Sequence, residues 1–305
     1  MAAMHVADIK YEDLRVVLFG SGTAGTGIAD QLKDAIAMDT DKSKEEAGQQ
    51  IWCVDKPGLL LQSHGEALTP SQRDYARSEN GWQKKDSNSL FDVVRAVKPH
   101  VLIGTSTQPK AFTREIVQEM ASHVQRPIIF PLSNPTSLHE ATPKDLVDWT
   151  EGRVLTATGS PFDAVETKGK MRVIAECNNS TVFPGIGLGV VLSRARLITS
   201  KMLVSAVKAL AAQAPALQDD EAGLLPDVTN VREISVKVAA AVIKQAVEDS
   251  LAQETNIPSD DEVLHEWIKE QMWDAQYRPL KKVAKEEASR AALGEMGSKG
   301  SVTRN

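Results

Sequence analysis

Residues 14–36 read LRVVLFGSGTAGTGIADQLKDAI, and the order of residue types in this stretch decides the fold. Leu14–Phe19 is a short apolar run carrying two valines, the pattern of a buried strand. It passes straight into Gly20-Ser21-Gly22-Thr23-Ala24-Gly25, after which Ile28, Ala29, Leu32, Ala35 and Ile36 recur at helical spacing. A strand that ends where a helix begins aims backbone N–H groups and the positive helix end at one point, an arrangement suited to a pyrophosphate. In that reading Gly20 permits the tight turn, Gly22 lets a phosphate approach the backbone, and Gly25 lets helix and strand pack closely. The same glycines also fit a plain tight turn between strand and helix.

Outward from this point the pattern repeats. A second apolar run, Ile51–Val54, ends at Asp55. Helix Leu90–Val97 then precedes strand Val101–Ile103, helix Phe112–Ala121 precedes strand Pro127–Phe130, and helix Pro143–Trp149 precedes strand Val154–Thr156. Short apolar strands alternating with helices imply βαβ units and a parallel sheet covered by helices on both faces. The expected fold is therefore α/β, a Rossmann-like, doubly wound parallel sheet over about residues 14–184. From Pro184 onward the chain turns helical, over roughly 184–212, 228–251 and 260–273, a C-terminal extension reaching about residue 279. Residues 1–13 read as a lead-in, 39–50 as a polar bridge, and 280–305 as a charged, frayed tail.

Several side chains fall where such a sheet binds ligands. Asp55, at the end of the second strand, is placed to accept from ribose hydroxyls, although it follows Gly20 at more than the usual interval of about 20 residues. Lys56 beside it leaves room for a 2′-phosphate, and Asp55 could equally initiate a turn before Lys-Pro-Gly. Asn134, held extended by Pro135 after the Pro127–Phe130 strand, sits at the strand end that lines the crevice in open α/β sheets. A carboxamide there can donate to a carboxylate and accept from a hydroxyl. Asn178 and Asn179 need partners for their amides, from loop carbonyls or from a ligand. Gly159-Ser160-Pro161 makes a third polar loop at the same edge. The glycines of Gly185-Ile186-Gly187-Leu188-Gly189 sit behind Pro184, a favoured first helical residue, and read as close helix packing.

Composition bounds the rest. The 305 residues carry 35 Lys+Arg against 41 Asp+Glu, a net charge of −6 that argues against a nucleic-acid surface. No apolar stretch approaches the roughly 18 residues that a bilayer span requires. Cys53 and Cys177 are too few for a disulfide framework or a cysteine-rich zinc site. The first residues resemble neither a secretory signal nor an Arg-rich transit peptide, which points to the cytoplasm. No nucleophile elbow and no paired-histidine motif appears. Glu12-Asp13 lacks a nearby third ligand and reads as solvated. The residues thus announce a cofactor site and no catalytic base.

The segments VVLFGSGTAGTGIADQL, IWCVDKPGLL, VKPHVLIGTS, RPIIFPLSNPT, WTEGRVLTATGSPF and ECNNSTVFPGIGLGVVLSRARLI occur in this order. Together they resemble the cofactor-binding, C-terminal half of malic enzymes, from about Val16 to Leu280. RPIIFPLSNPT and NNSTVFPGIGLG carry more of that resemblance than the glycine turn does.

The resemblance implies a metal-dependent oxidative decarboxylation of malate to pyruvate and CO2 with NAD or NADP. It implies that Gly20, Gly22, Thr23, Ala24 and Gly25 hold the pyrophosphate, that Asp55 holds the adenine ribose, and that Gly104, Thr105 and Ser106 lie along the dinucleotide. Asn134 and the pair Asn178 and Asn179 match positions where the family's amides touch malate or the nicotinamide end. In the family the tyrosine acid, lysine base, substrate arginine and acidic metal ligands all precede the glycine turn, whereas here only residues 1–19 do. Glu176 stands where many relatives have glutamine. The expectation is a cofactor-binding half, without the ligands for Mg or Mn and inactive toward malate unless the other half is supplied. The alternative is a non-catalytic dinucleotide-binding or regulatory subunit that docks on a complete malic enzyme. Either way an apolar interface should favour self-association or a homo-oligomer, and a mitochondrial location stays open beside the cytoplasmic one.

Overall fold

Val16–Phe19 (β1) lies at the middle of the sheet, with Val16 in register with Ile51 on one side and Val101 on the other. Ile51–Asp55 (β2) and Gly58–Leu59 (β3) continue outward on the first side, and Val101–Gly104 (β4), Ile128–Pro131 (β5) and Leu155–Thr158 (β6) on the second. In this computed structural model, which describes residues 1–82 and 89–277, the short pair Val165–Thr167 (β7) and Lys170–Arg172 (β8) forms a separate hairpin. Ala175–Glu176 (β9) completes a seven-stranded sheet in the order β3-β2-β1-β4-β5-β6-β9. Every pairing in it is parallel except β2 with β3. Reversal of the strand order at β1 makes this a doubly wound α/β sheet, with a crevice at the carboxyl ends of β1 and β4.

The continuous apolar run of β1 follows from burial on both faces. Val16 and Leu18 join Ala29 and Ile36 of the helix Thr23–Asp39 (α2) in one core layer. Val17 and Phe19 join the opposite layer, with Val93 and Val94 of Leu90–Val97, Met120 of Arg114–His123 and Leu146 of Pro143–Trp149. Val17 and Leu18 are wholly inaccessible, and burying each such side chain stabilises the fold by about 1.5–3 kcal/mol. A third cluster unites Met202 and Ala206 with Val238 and Val242 in the helical C-terminal portion.

The structure adjusts several boundaries. The lead-in contains a helix, Ala2–Val6 (α1), whose Ala3 and Met4 enter the first core layer. The polar bridge contains Lys44–Gly48 (α3), nucleated by a reciprocal capping box between Ser43 and Glu46 that outweighs its lack of an apolar stripe. Strands β3 and β9 were not foreseen, because two residues are too few to show a period. The expected helix over 184–212 is two helices, Phe183–Ser193 and Ser200–Ala211. Arg194 closes the first in the left-handed region at φ 50°, and Thr199 caps the second. Val228–Asn230 forms a single 3-10 turn before the helix Val231–Glu248. The tail over 280–305 lies outside the described residues. Met1–Glu270 forms one compact unit; the second begins at Gln271, the last residue of the helix Asp261–Gln271. No helix among the described residues is long and apolar enough to cross a membrane.

Glycine spacing decides how Phe183–Ser193 packs. A Cβ on Gly185 would stand 2.6 Å from Val238 Cβ, and one on Gly189 would stand 2.8 Å from Val242 Cβ. The backbones of Phe183–Ser193 and Val231–Glu248 therefore approach too closely for any side chain at these two positions, as the sequence suggested. Gly187 differs, with nothing within 4 Å of its would-be Cβ. The outer face of the same helix leaves Phe183 70% and Val191 71% exposed.

Candidate functional site

Three strand ends converge on the glycine turn. Gly20, at φ +100°, donates its N–H to Val54 O at 2.9 Å, and its missing side chain leaves room for Thr105 and Ser106, whose backbone atoms would lie 2.4–2.5 Å from a Cβ. Gly25 is as constrained, since a Cβ there would meet Gly20 O at 2.1 Å. Gly22 is not: nothing stands within 4 Å of the place its side chain would fill. It is the N-cap of α2, and no side chain caps that helix end. Thr23 and Ala24 follow as the first helical residues. The result is an open, uncapped helix N-terminus, with its donors and positive end toward the crevice, the setting that backbone N–H groups give to an anion.

Asp55 closes this turn from the side. Its Oδ2 accepts the Ser21 N–H at 2.8 Å, and its Oδ1 accepts the Lys56 N–H at 2.8 Å. Ser21 is buried, its hydroxyl donating to Val54 O at 3.2 Å. Gln72 reaches in from the helix Pro70–Arg73 to donate to Ser21 O at 3.1 Å. On the other flank, Thr105 Oγ1 donates to Gly20 O at 2.6 Å and the Thr105 N–H to Phe19 O at 2.8 Å. The loop Gly104-Thr105-Ser106 is thus bonded to the glycine turn. The sequence reading passed over Ser21 and Gln72: the first is hidden within the motif, and the second lies far along the chain with no pattern of its own.

Asn134 lies beyond β5, at the carboxyl end of the sheet, and its peptide bond to Pro135 is cis. Its Oδ1 accepts the Ser160 hydroxyl at 2.5 Å, and its Nδ2 approaches Gly159, so the two polar loops after β5 and β6 do meet. Asn178 folds onto its own neighbours: its Nδ2 donates to Glu176 at 2.9 Å and its Oδ1 accepts the Ser180 N–H at 3.0 Å. Asn179 opens the 3-10 turn Asn179–Thr181, is exposed, and makes no side-chain hydrogen bond among the described residues. A cavity of about 340 Å³ beside this turn is lined by Phe162, Glu176, Asn178, Ser180 and Asp227, and Asn134 is not part of its wall. Among the described residues no three His, Cys, Asp or Glu side chains are grouped so as to hold a metal ion.

The family described as malic enzyme, NAD binding domain, matches residues 1–247. The chain belongs to the malic enzyme family. Its sequence is 44% identical over 297 residues to the mitochondrial NAD-dependent malic enzyme of Saccharomyces cerevisiae, covering 93% of this chain and 44% of that protein. It is 43% identical over 288 residues to the NAD-dependent malic enzyme of Shewanella loihica, covering 93% and 50%. Among solved structures it resembles the Entamoeba histolytica malic enzyme with a TM-score of 0.68 at 22% identity, covering 100% of this chain and 54% of that one. The Pyrococcus horikoshii malic enzyme gives 0.67 at 20%, covering 98% and 59%. At these identities the likeness is one of fold. This malic enzyme domain spans about half the length of the curated relatives it matches.

Proposed function

We propose that this chain supplies the nucleotide-binding half of an NAD-dependent oxidative decarboxylation of malate to pyruvate and CO2. Bound NAD supplies a hydride acceptor for C2 of malate, the oxidation that precedes loss of CO2. The N–H groups of Gly22, Thr23, Ala24 and Gly25 hold the diphosphate, Gly20 makes the tight turn beneath it with its own N–H bonded to Val54 O, and Gly104, Thr105 and Ser106 flank the dinucleotide across the crevice. Asp55 holds the adenine ribose while keeping the Ser21 N–H in place. Asn134 and one of Asn178 and Asn179 face malate or the nicotinamide end; Asn178 lines the cavity beside the turn, and the Asn179 amide makes no side-chain hydrogen bond among the described residues. NAD is preferred over NADP on the carboxylate at Asp55 and on the names of the relatives. Among the described residues no grouped acids, histidines or cysteines fit the family's Mg or Mn, so no metal step is assigned to these residues. The general acid and base of the reaction are not assigned to them either.

The observation that carries this reading is the empty space at Gly22, at an uncapped helix end beside the crevice between β1 and β4. Its test is NADH titration by fluorescence with Gly22→Val. The valine fits sterically and fills only the volume a phosphate would need. Affinity should fall by about tenfold or more, the cost of losing about 1.4 kcal/mol, while the unfolding temperature holds. Unchanged affinity would defeat the reading. In the same preparation, malate with Mn²⁺ should yield no NADH from the chain alone.

The exposed Phe183 and Val191 favour a second role for the same fold, a dinucleotide-binding subunit that docks on a complete malic enzyme through that helix face.

A further inference from the structure

Glu140 is a buried acid that no reading of the chemistry has used. It is fully inaccessible, yet it sits on a short loop rather than within a helix or strand. One carboxylate oxygen, Oε1, accepts three hydrogen bonds: from the Ser106 N–H at 2.9 Å, the Ser106 hydroxyl at 2.8 Å, and the Ser133 hydroxyl at 2.5 Å. Ser133 Oγ in turn accepts the Thr107 N–H at 2.9 Å. Oε2 has no partner among the described residues and lies against Gly104, where a Cβ would stand 2.6 Å from it. Burying a carboxylate costs several kcal/mol unless its hydrogen bonds repay it. Here the repayment comes entirely from two loops.

Those loops are not neighbours in sequence. Ser106 and Thr107 follow β4, and Ser133 follows β5, immediately before Asn134. We infer that Glu140 is a positioning residue that fixes the loop after β4 and the loop after β5 in one arrangement, so that the nucleotide segment Gly104–Ser106 and the Asn134 carboxamide are set together. Gly104 belongs to the same device, because any side chain there would displace Glu140. The inference rests on the proposal that Gly104, Thr105 and Ser106 flank the dinucleotide, and it adds a group that touches neither ligand.

The test uses NADH titration of the full 305-residue chain, with cofactor-free thermal unfolding measured alongside. Glu140→Gln keeps the shape and one acceptor oxygen but removes the charge behind three bonds, and NADH affinity should fall several-fold. Ser133→Ala deletes a single hydroxyl remote from the nucleotide loop in sequence, leaves the packing in place, and should weaken NADH about threefold. The double variant should be no weaker than Glu140→Gln by more than a small factor, because both act through one network. A residue that merely held the fold together would lower the unfolding temperature and leave the affinity of the folded protein unchanged. The inference is overturned if both variants bind NADH like the parent while Gly22→Val does not. Failure of the parent chain itself to bind NADH would defeat the nucleotide reading first, and this inference with it.

Discussion

Asp55 shows how much one side chain can be asked to do. Its carboxylate accepts the Ser21 and Lys56 N–H groups before any nucleotide arrives, so it is part of the turn as well as a candidate ribose ligand. Asp55→Asn separates the two roles. The amide must point its NH2 at one of two N–H donors, and a donor left facing a donor costs about 1–3 kcal/mol. Cofactor-free thermal unfolding should therefore show a lower melting temperature for Asp55→Asn; an unchanged one would mean the carboxylate is idle until ribose binds. Sequence alone placed Asp55 at the strand end and left its role divided between turn and ribose. It could not pair Asp55 with Ser21, because that bond depends on β1 and β2 being adjacent in the sheet. Glu140 was invisible for a similar reason. An acid in a polar loop reads as solvated, and only the serines after two different strands explain why it is buried.

At the scale of elements, the glycines of Phe183–Ser193 give opposite expectations within one helix. Gly185→Ala would drive a Cβ into Val238 and should destabilise the chain by about 1–3 kcal/mol, the usual cost of overpacking. Gly187→Ala meets open space and should stabilise it by up to about 1 kcal/mol through helix propensity. Melting temperatures that move in opposite directions would bear this out, and a shift in the same direction would mean the two helices are not in contact at Gly185. The strands were legible because a core on both faces imposes a continuous apolar run, as in Val16–Phe19. The break at Arg194 was not, because no proline or glycine marks it; the chain turns there by placing an arginine in the left-handed region. The two-residue strands β3 and β9 were equally hidden, being defined by their partners and not by their own composition.

For the whole molecule, two histidines link stability to pH. Burial holds His139 below its ordinary pKa, against a weaker upward pull from Glu140. Burial and then the Arg15 guanidinium hold His100 below its own, with Asp13 opposing weakly. His100 Nδ1 accepts the Arg15 N–H at 3.1 Å, so a proton there also breaks a hydrogen bond. Since both bind protons more readily when unfolded, their contribution is intact above about pH 6.5, the ordinary histidine value, and is lost as the pH falls below it. Melting curves between pH 7.5 and 5 should show a falling midpoint, and His139→Leu should flatten that slope; a flat parent profile would contradict it. The general architecture, a doubly wound sheet followed by helices, was plain from the alternation of strands and helices alone. The sheet's margins were not, and they carry a consequence. Gly58–Leu59 and Ala175–Glu176 close it on either side as stubs. So little unpaired backbone at these two margins gives an incoming strand little to template on, which disfavours amyloid-like growth from the edges of this seven-stranded sheet.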